Sequence, residues 1–185
     1  MIIMVAGLVL FIGVHLIPTA PGLRARLVVR LGDKAYRAFF AITAALGLVL
    51  IIAGYHMRPE RVQLFAPFPA ARAAAPLLVT IAFILFAAAN MRTHIRSIVR
   101  HPMLIGLMLW SGVHLLANGD VTGTILFGSF FAYSIIAIVS AISRRSTKAF
   151  VPNWKHDLIA IAAGLAISYL TIRLHPLVFG TGLVG

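Results

Sequence analysis

Residues 100–120 read RHPMLIGLMLWSGVHLLANGD, and this stretch decides the fold. A proline near its start, an Asn-Gly pair near its end and the apolar run between them predict one helix over residues 102–117. At 1.5 Å per residue, such a helix is about 24 Å long, which is short for a bilayer core of ~30 Å. The stretch also holds two histidines, an arginine, a tryptophan and one of the four acidic residues of the chain. We therefore expect a membrane helix whose polar residues lie at or just inside the interfaces.

The whole chain is as apolar as this stretch. Of its 185 residues, 61% are hydrophobic, and the mean hydropathy is +1.01, whereas soluble domains are ~45–50% apolar. Apolar runs of about twenty residues each match the thickness of a bilayer. They predict one all-α domain over residues 1–185, a polytopic transmembrane helix bundle of about six spans. The runs are 2–17, 36–55, 74–91, 102–117, 121–142 and 158–174.

Three local features refine this division of the chain. The first run has no basic start and no cleavage site after it, so we expect a retained helix, and residues 24–31 are expected to form a short interfacial helix. Pro76 is expected in the first turn of the third span, where a missing N–H costs least. Arg92, Arg96 and Arg100 are four apart, so a helical continuation of that span would carry them on one face.

The net charge of +12 indicates membrane topology rather than nucleic-acid binding, because the basic residues lie in short loops between apolar runs. Loops one, three and five, with their flanks, hold twelve Lys and Arg residues, and the other side holds four. The positive-inside rule therefore places both termini outside. The twelve are Arg24, Arg26, Arg30, Lys34, Arg37, Arg92, Arg96, Arg100, Arg144, Arg145, Lys148 and Lys155; the four are Arg58, Arg61, Arg72 and Arg173.

Histidines are the main candidates for chemistry, because the chain has no cysteine and few carboxylates. His101 and His114 are thirteen residues apart, about 20 Å along one helix, so one metal ion cannot bind both. His15 and His101 lie at matching depth on different helices, so one metal ion can bind that pair. The predicted topology places His15, His94, His101 and His156 near the cytoplasmic face, and His56, His114 and His175 near the outer face.

The sequence around His101 favours a neutral imidazole. Pro102 suits the first helical position, which leaves His101 near the N-cap, where the helix dipole disfavours positive charge. A neutral imidazole is the form that binds a metal or haem iron. Arg96 and Arg100 are placed to pair with an anion such as a propionate or a phosphate. The alternative for His15 and His101 is a helix end that contacts lipid headgroups.

The far end of the same helix has a simpler interpretation. Asn118 and Gly119 predict a helix C-cap with Gly119 in the left-handed region, and Asp120 predicts the N-cap of the next helix. A hydrogen bond from His114 to Asp120 across the turn is the functional alternative. Trp110 is expected on a packing face of the helix, together with nearby glycines.

The stretch at residues 100–120 resembles the central signature of the NnrU family of bacterial inner-membrane proteins. A second block, FIGVHLIPTAPGLRARLVVRLGDKAYRAFFA at residues 11–41, is similar to the family's other motif. The resemblance implies a multi-pass protein of the bacterial inner membrane, linked to nitrite and nitric oxide reduction in denitrification. Its expected partners are the lipid bilayer and other membrane proteins of nitrogen-oxide metabolism. The final third departs from the family pattern, since Ser143 stands where an acidic residue often precedes the arginines.

The family is also similar to the membrane core of plant 15-cis-zeta-carotene isomerase, a haem b protein. That similarity implies His15 and His101 as haem ligands, with isomerase-like or redox activity. A second interpretation is an isoprenylcysteine-type membrane methyltransferase, because RHPxxxG occurs there too. Such enzymes usually add paired glutamates, and this chain has only Glu60. A third is a non-catalytic assembly or regulatory subunit, which the scarcity of acid–base residues favours.

Overall fold

The structure, a computed structural model, describes residues 1–57, 62–145, 147 and 149–179. Within these residues the backbone is helical apart from turns, short loops and one isolated bridge between Gln63 and Asp120. A 3-10 turn at Ile17–Thr19 separates the first two of eight α-helices. These are α1 (Ile2–Leu16), α2 (Pro21–Leu31), α3 (Asp33–His56), α4 (Pro69–Ala88), α5 (His94–Val99), α6 (Pro102–Asn118), α7 (Val121–Ser143) and α8 (Trp154–Phe179).

Five helices in the described part of the chain are long and apolar enough to cross a membrane: α1 with its 3-10 turn, α3, α4, α7 and α8. Helix α6 has 17 residues and is shorter. The all-α architecture and the presence of membrane-spanning helices are thereby confirmed, whereas the count of six spans and the orientation remain predictions. The described residues do not include Arg58, Arg61 and Lys148, which entered the count of basic residues. They also do not include Glu60, which entered the comparison with methyltransferases.

The long helices pack in the order α3, α1, α7, α6, α4, α8, each against the next. Close contacts between Met4 and Gly54 and between Gly7 and Gly47 show that α1 and α3 are antiparallel. The bundle therefore has two distinct ends. We call the end that holds residues 16–33, 88–102 and 143–154 the basic end, and the end that holds residues 56–69 and 118–121 the opposite end.

A loop and a turn lock together at the opposite end. The backbone N–H groups of Leu64 and Phe65 donate to the Gly119 carbonyl, at 2.9 and 3.2 Å, and the Val121 N–H donates to Val62 O at 2.9 Å. Gly119 has φ +71°, in the left-handed region that glycine adopts without strain. The Asp120 Oδ1 atom accepts from Gly123 N at 2.8 Å. The predicted C-cap and N-cap are both confirmed.

Two local expectations are wrong, and each fails for a local reason. Helix α4 begins at Pro69, so Pro76 lies inside the helix rather than in its first turn. Pro69 already occupies the position where a missing N–H costs nothing. Helix α4 also ends at Ala88, so no continuous helix carries Arg92, Arg96 and Arg100 on one face. The buried Thr93 starts α5 separately, because its hydroxyl accepts from Arg96 N at 2.9 Å.

Candidate functional site

A cavity of about 850 Å³ lies between the helices toward the opposite end. We call it the histidine cavity, because His56, His114 and His175 line it from α3, α6 and α8. Its walls are mostly aliphatic and aromatic, and the lining residues come from α3, α4, α6, α7 and α8. Its other polar residues are Tyr55, Arg72, Asn118 and Thr171. The depth predicted from sequence placed the three histidines near one face of the membrane. Only the packing of the helices brings them around one cavity.

His114 is held in one orientation by its own helix. Its Nδ1 atom donates to the Trp110 carbonyl at 2.7 Å, which leaves Nε2 as the nitrogen that accepts a proton or binds a metal. The ring packs against those of Phe127 and Trp110, with centroids at 4.8 and 5.1 Å. The alternative hydrogen bond to Asp120 is not formed, because that carboxylate caps α7 instead.

Two more polar residues fix the end of α6 beside His114. The Asn118 side-chain nitrogen donates to the His114 carbonyl at 2.7 Å. Arg72 Nε donates to the Ala117 carbonyl at 3.1 Å, so α4 is tied to the last turn of α6. Asn118 and Trp110 were predicted to belong to caps and packing, and both also line the histidine cavity. Arg72 was predicted only as one of the basic residues that set the membrane topology, so its hydrogen bond to α6 was not expected.

A second cavity, of about 920 Å³, lies at the basic end. We call it the arginine cavity, because Arg96, Arg100 and Arg145 line it together with His101. The Arg96 guanidinium carbon lies 5.0 Å from the centroid of the Phe150 ring. The predicted grouping of Arg96, Arg100 and His101 is therefore present, and Arg145 joins it from the end of α7.

His101 occupies the predicted N-cap of α6, followed by Pro102 in the first turn, although its side chain makes no capping hydrogen bond. Partial burial and then the neighbouring Arg100 charge lower the pKa of His101. A lowered pKa favours the neutral imidazole, the form that the sequence around His101 also favours.

His15 lies elsewhere, in an aromatic cluster. Its Nδ1 atom donates to Phe11 O at 2.6 Å, and its ring centroid is 4.2 Å from that of Phe11, 5.0 Å from Phe40 and 6.1 Å from Tyr133. The arginine cavity, which His101 lines, contacts α7 through Ile138, Ala141 and Ile142.

His15 and His101 thus lie in different surroundings, the aromatic cluster and the arginine cavity. The His15 ring has the arrangement of a single metal ligand, because Nδ1–H donates to a carbonyl and leaves Nε2 to bind. Within the described residues, no group of three or more His, Asp or Glu side chains lies close enough to hold one metal ion.

One polar contact at the basic end was missed entirely. Asp157 Oδ2 accepts from His94 Nδ1 at 2.7 Å and from His94 N at 3.1 Å, and Oδ1 accepts from Ile95 N at 3.2 Å. The carboxylate therefore ties the start of α8 to the start of α5. The two partners are 63 residues apart, and no local pattern links them.

A bundle of apolar helices, five of them long enough to cross a membrane, defines a polytopic membrane protein, and its described part contains a histidine-lined and an arginine-lined cavity. The chain belongs to the NnrU family: the family model described as NnrU protein matches residues 3–182 of the 185. This match confirms the resemblance seen in the two sequence blocks. Neither a comparison with curated proteins nor one with solved structures finds a match.

Proposed function

We propose that this NnrU-family protein binds a lipid-soluble molecule with a polar head in the histidine cavity, as part of nitrogen-oxide metabolism at the bacterial inner membrane. The observation that carries the proposal is the histidine cavity itself, which gathers histidines from three helices of an otherwise apolar bundle. Ionisable residues within membrane helices are costly to bury and are functional candidates by default. The link to nitrogen-oxide metabolism rests on the family resemblance.

The walls of the histidine cavity define the chemistry of its ligand. Aliphatic and aromatic side chains, such as Ile52, Val79 and Phe130, suit a hydrocarbon or isoprenoid body. Arg72 and Asn118 offer hydrogen-bond donors, and no carboxylate of the described residues lines the cavity. The polar head should therefore accept hydrogen bonds or carry negative charge. A volume of about 850 Å³ lies within the range of ~300–1,000 Å³ that small-molecule sites occupy.

His114 is the residue of this cavity best placed for proton transfer. Its Nε2 atom remains available as a base once Nδ1 is bound to Trp110 O. The described carboxylates are engaged elsewhere: Asp33 pairs with Arg37, Asp120 caps α7, and Asp157 binds His94. Isomerase-like activity in this cavity would therefore depend on histidine, with His114 moving a proton on the bound molecule.

A photoactivatable fatty acid tests binding in the histidine cavity. We expect diazirine-labelled palmitate, crosslinked to the protein in nanodiscs, to label peptides of α3, α6 and α7. The variant Ala117→Phe places a ring in the cavity lining and should reduce labelling. The matched control Ala132→Phe adds the same ring on an exposed face of α7 and should leave labelling unchanged. The proposal is contradicted if Ala117→Phe does not reduce labelling, or if Ala132→Phe reduces it equally.

We further infer six spans, with α6 as the short one and the basic end in the cytoplasm. Helix α6 packs between α4 and α7, two helices long enough to span, and it extends from the basic end to the opposite end. The twelve-to-four distribution of basic residues supports the orientation. Both termini would then lie outside.

Haem b is a second candidate ligand, with His15 and His101 as the ligands that the resemblance implies. The support from geometry is the His15 ring, whose Nδ1–H donates to a backbone carbonyl, as iron-bound histidines commonly do. Haem would supply one-electron redox chemistry.

An absorption spectrum of detergent-purified protein, made with ample haem, tests this candidate. Loss of the Soret band in His15→Ala or His101→Ala, with the band kept in His114→Ala, supports the candidate. Loss in His114→Ala alone would place the haem in the histidine cavity instead. Folded protein without a Soret band rules haem out, and if lipid labelling fails as well, a non-catalytic assembly or regulatory subunit becomes the better interpretation.

A further inference from the structure

We propose that the arginine cavity binds the phosphate group of an anionic molecule at the basic end of the bundle. Three arginines line this cavity, from α5, from the turn after it and from the turn that follows α7. No carboxylate of the described residues lines it, so the lining carries only positive charge. This inference does not depend on the histidine cavity, which lies toward the other end of the bundle.

The backbone at two of these arginines is strained. Arg100 has φ +63° and Arg145 has φ +47°, and they are the only non-glycine residues with positive φ in the described chain. At Arg100 the strain closes a γ-turn, because His101 N–H donates to Val99 O at 2.7 Å. Strained conformations of this kind persist where the surrounding structure imposes them, and they cluster at functional sites. Here both strained residues line the same cavity.

The γ-turn explains why the arginines converge. Pro102 disfavours a helical conformation at His101, so α5 cannot run directly into α6. The chain turns at Arg100 instead, and this residue lines the cavity together with Arg96 of α5. Glycine would adopt the same φ without strain. The arginine side chain is therefore present at a position whose backbone conformation would suit glycine better.

The lining of the cavity suits a phosphate group. Guanidinium groups form paired, charge-assisted hydrogen bonds with phosphate oxygens. Ser97 and Thr147 add hydroxyl groups to the lining. Its apolar part, Ile105, Ile138 and Ile142, belongs to α6 and α7 and continues toward the membrane-spanning part of the bundle. A phosphate carried by a lipid headgroup and a phosphate carried by a soluble compound share this chemistry.

Two measurements on the full-length protein separate these sources. Native mass spectrometry from nanodiscs compares retention of phosphatidylglycerol with that of zwitterionic phosphatidylcholine. Thermal unfolding in detergent with added inorganic pyrophosphate tests a soluble phosphate. We expect at least one anion to bind, and we expect Arg145→Ala to weaken that binding about tenfold or more, as the loss of one charge-assisted contact implies.

Matched variants decide between a built site and general surface charge. Arg144→Ala removes the same charge one residue away, where the side chain is exposed, bonds to Ser140 and lies outside the cavity lining, so binding should change little. Arg100→Gly should weaken anion binding while leaving the unfolding temperature equal or higher, because it removes the charge and the strain together. The proposal is overturned if neither anion binds, or if Arg144→Ala weakens binding as much as Arg145→Ala.

Discussion

Replacing Gly7 with alanine tests the close contact between α1 and α3. An ideal Cβ at Gly7 would lie 2.6 Å from Ile51 N and 2.7 Å from Gly47 O, whereas ordinary contact begins near 3.4 Å. Both neighbours are backbone atoms, which cannot rotate away. The added methyl group therefore requires α1 to move from α3 by about 0.8 Å, a shift that loses a quarter to a half of the dispersion energy between the facing atoms.

The cost of this movement can be estimated. Adding a methylene-sized group to a tightly packed interface destabilises proteins by ~1–3 kcal/mol. Gly13 lies on the same helix with nothing within 4 Å of an added Cβ. Alanine there makes no clash and gains helix propensity, worth up to ~1 kcal/mol in a water-exposed helix. We expect Gly7→Ala to be at least ~1 kcal/mol less stable than Gly13→Ala, although both variants add the same atom.

Reversible unfolding in mixed dodecyl maltoside and SDS micelles, followed by circular dichroism, measures this difference. The denaturant midpoint should fall for Gly7→Ala and stay level or rise for Gly13→Ala. If the two variants have equal midpoints, or if Gly13→Ala is the weaker one, the packing of α1 on α3 through Gly7 is refuted.

Three further predictions concern the two ends of the bundle. Asp120→Asn should be nearly neutral, since asparagine caps helices about as well, whereas Asp120→Ala should cost ~1 kcal/mol in the same assay; a large effect of Asp120→Asn would indicate a role beyond capping. Reporter fusions at Gly119 and Thr147 should lie on opposite sides of the membrane, with Thr147 cytoplasmic, and a shared side would refute the predicted topology. Asp157→Ala should increase amide hydrogen exchange at His94, because its backbone N–H loses its acceptor, and unchanged exchange would refute that contact.

The helices could be predicted from sequence because their signals are local. Apolar runs of membrane thickness gave the long helices to within a few residues, and Pro102 fixed the start of α6. Gly119 and Asp120 marked the turn at the opposite end because left-handed backbone and N-capping are properties of single residues. The start of α4 was misplaced because both Pro69 and Pro76 suit a first turn, and only the structure shows which one begins the helix.

The grouping of side chains depends on how each helix is rotated about its axis. In an apolar bundle most faces of a helix are hydrophobic, so sequence periodicity does not specify which face meets which neighbour. Depth along the membrane placed His15 and His101 at one level, but packing gave His15 an aromatic cluster and His101 a place in the lining of the arginine cavity. The same packing brought Arg145 to Arg96 and Arg100.

The sequence by itself determined that this chain is a membrane helix bundle of the NnrU family, with histidines at two depths and basic residues concentrated toward one end. The tertiary structure alone decided that His56, His114 and His175 share a cavity and that Asp157 meets His94. The physical reason is that helix formation and capping depend on residues within a few positions of each other. The choice of neighbouring helix and its rotation depend on close packing between residues far apart in the chain, such as Gly106 against Ala82 and Phe86.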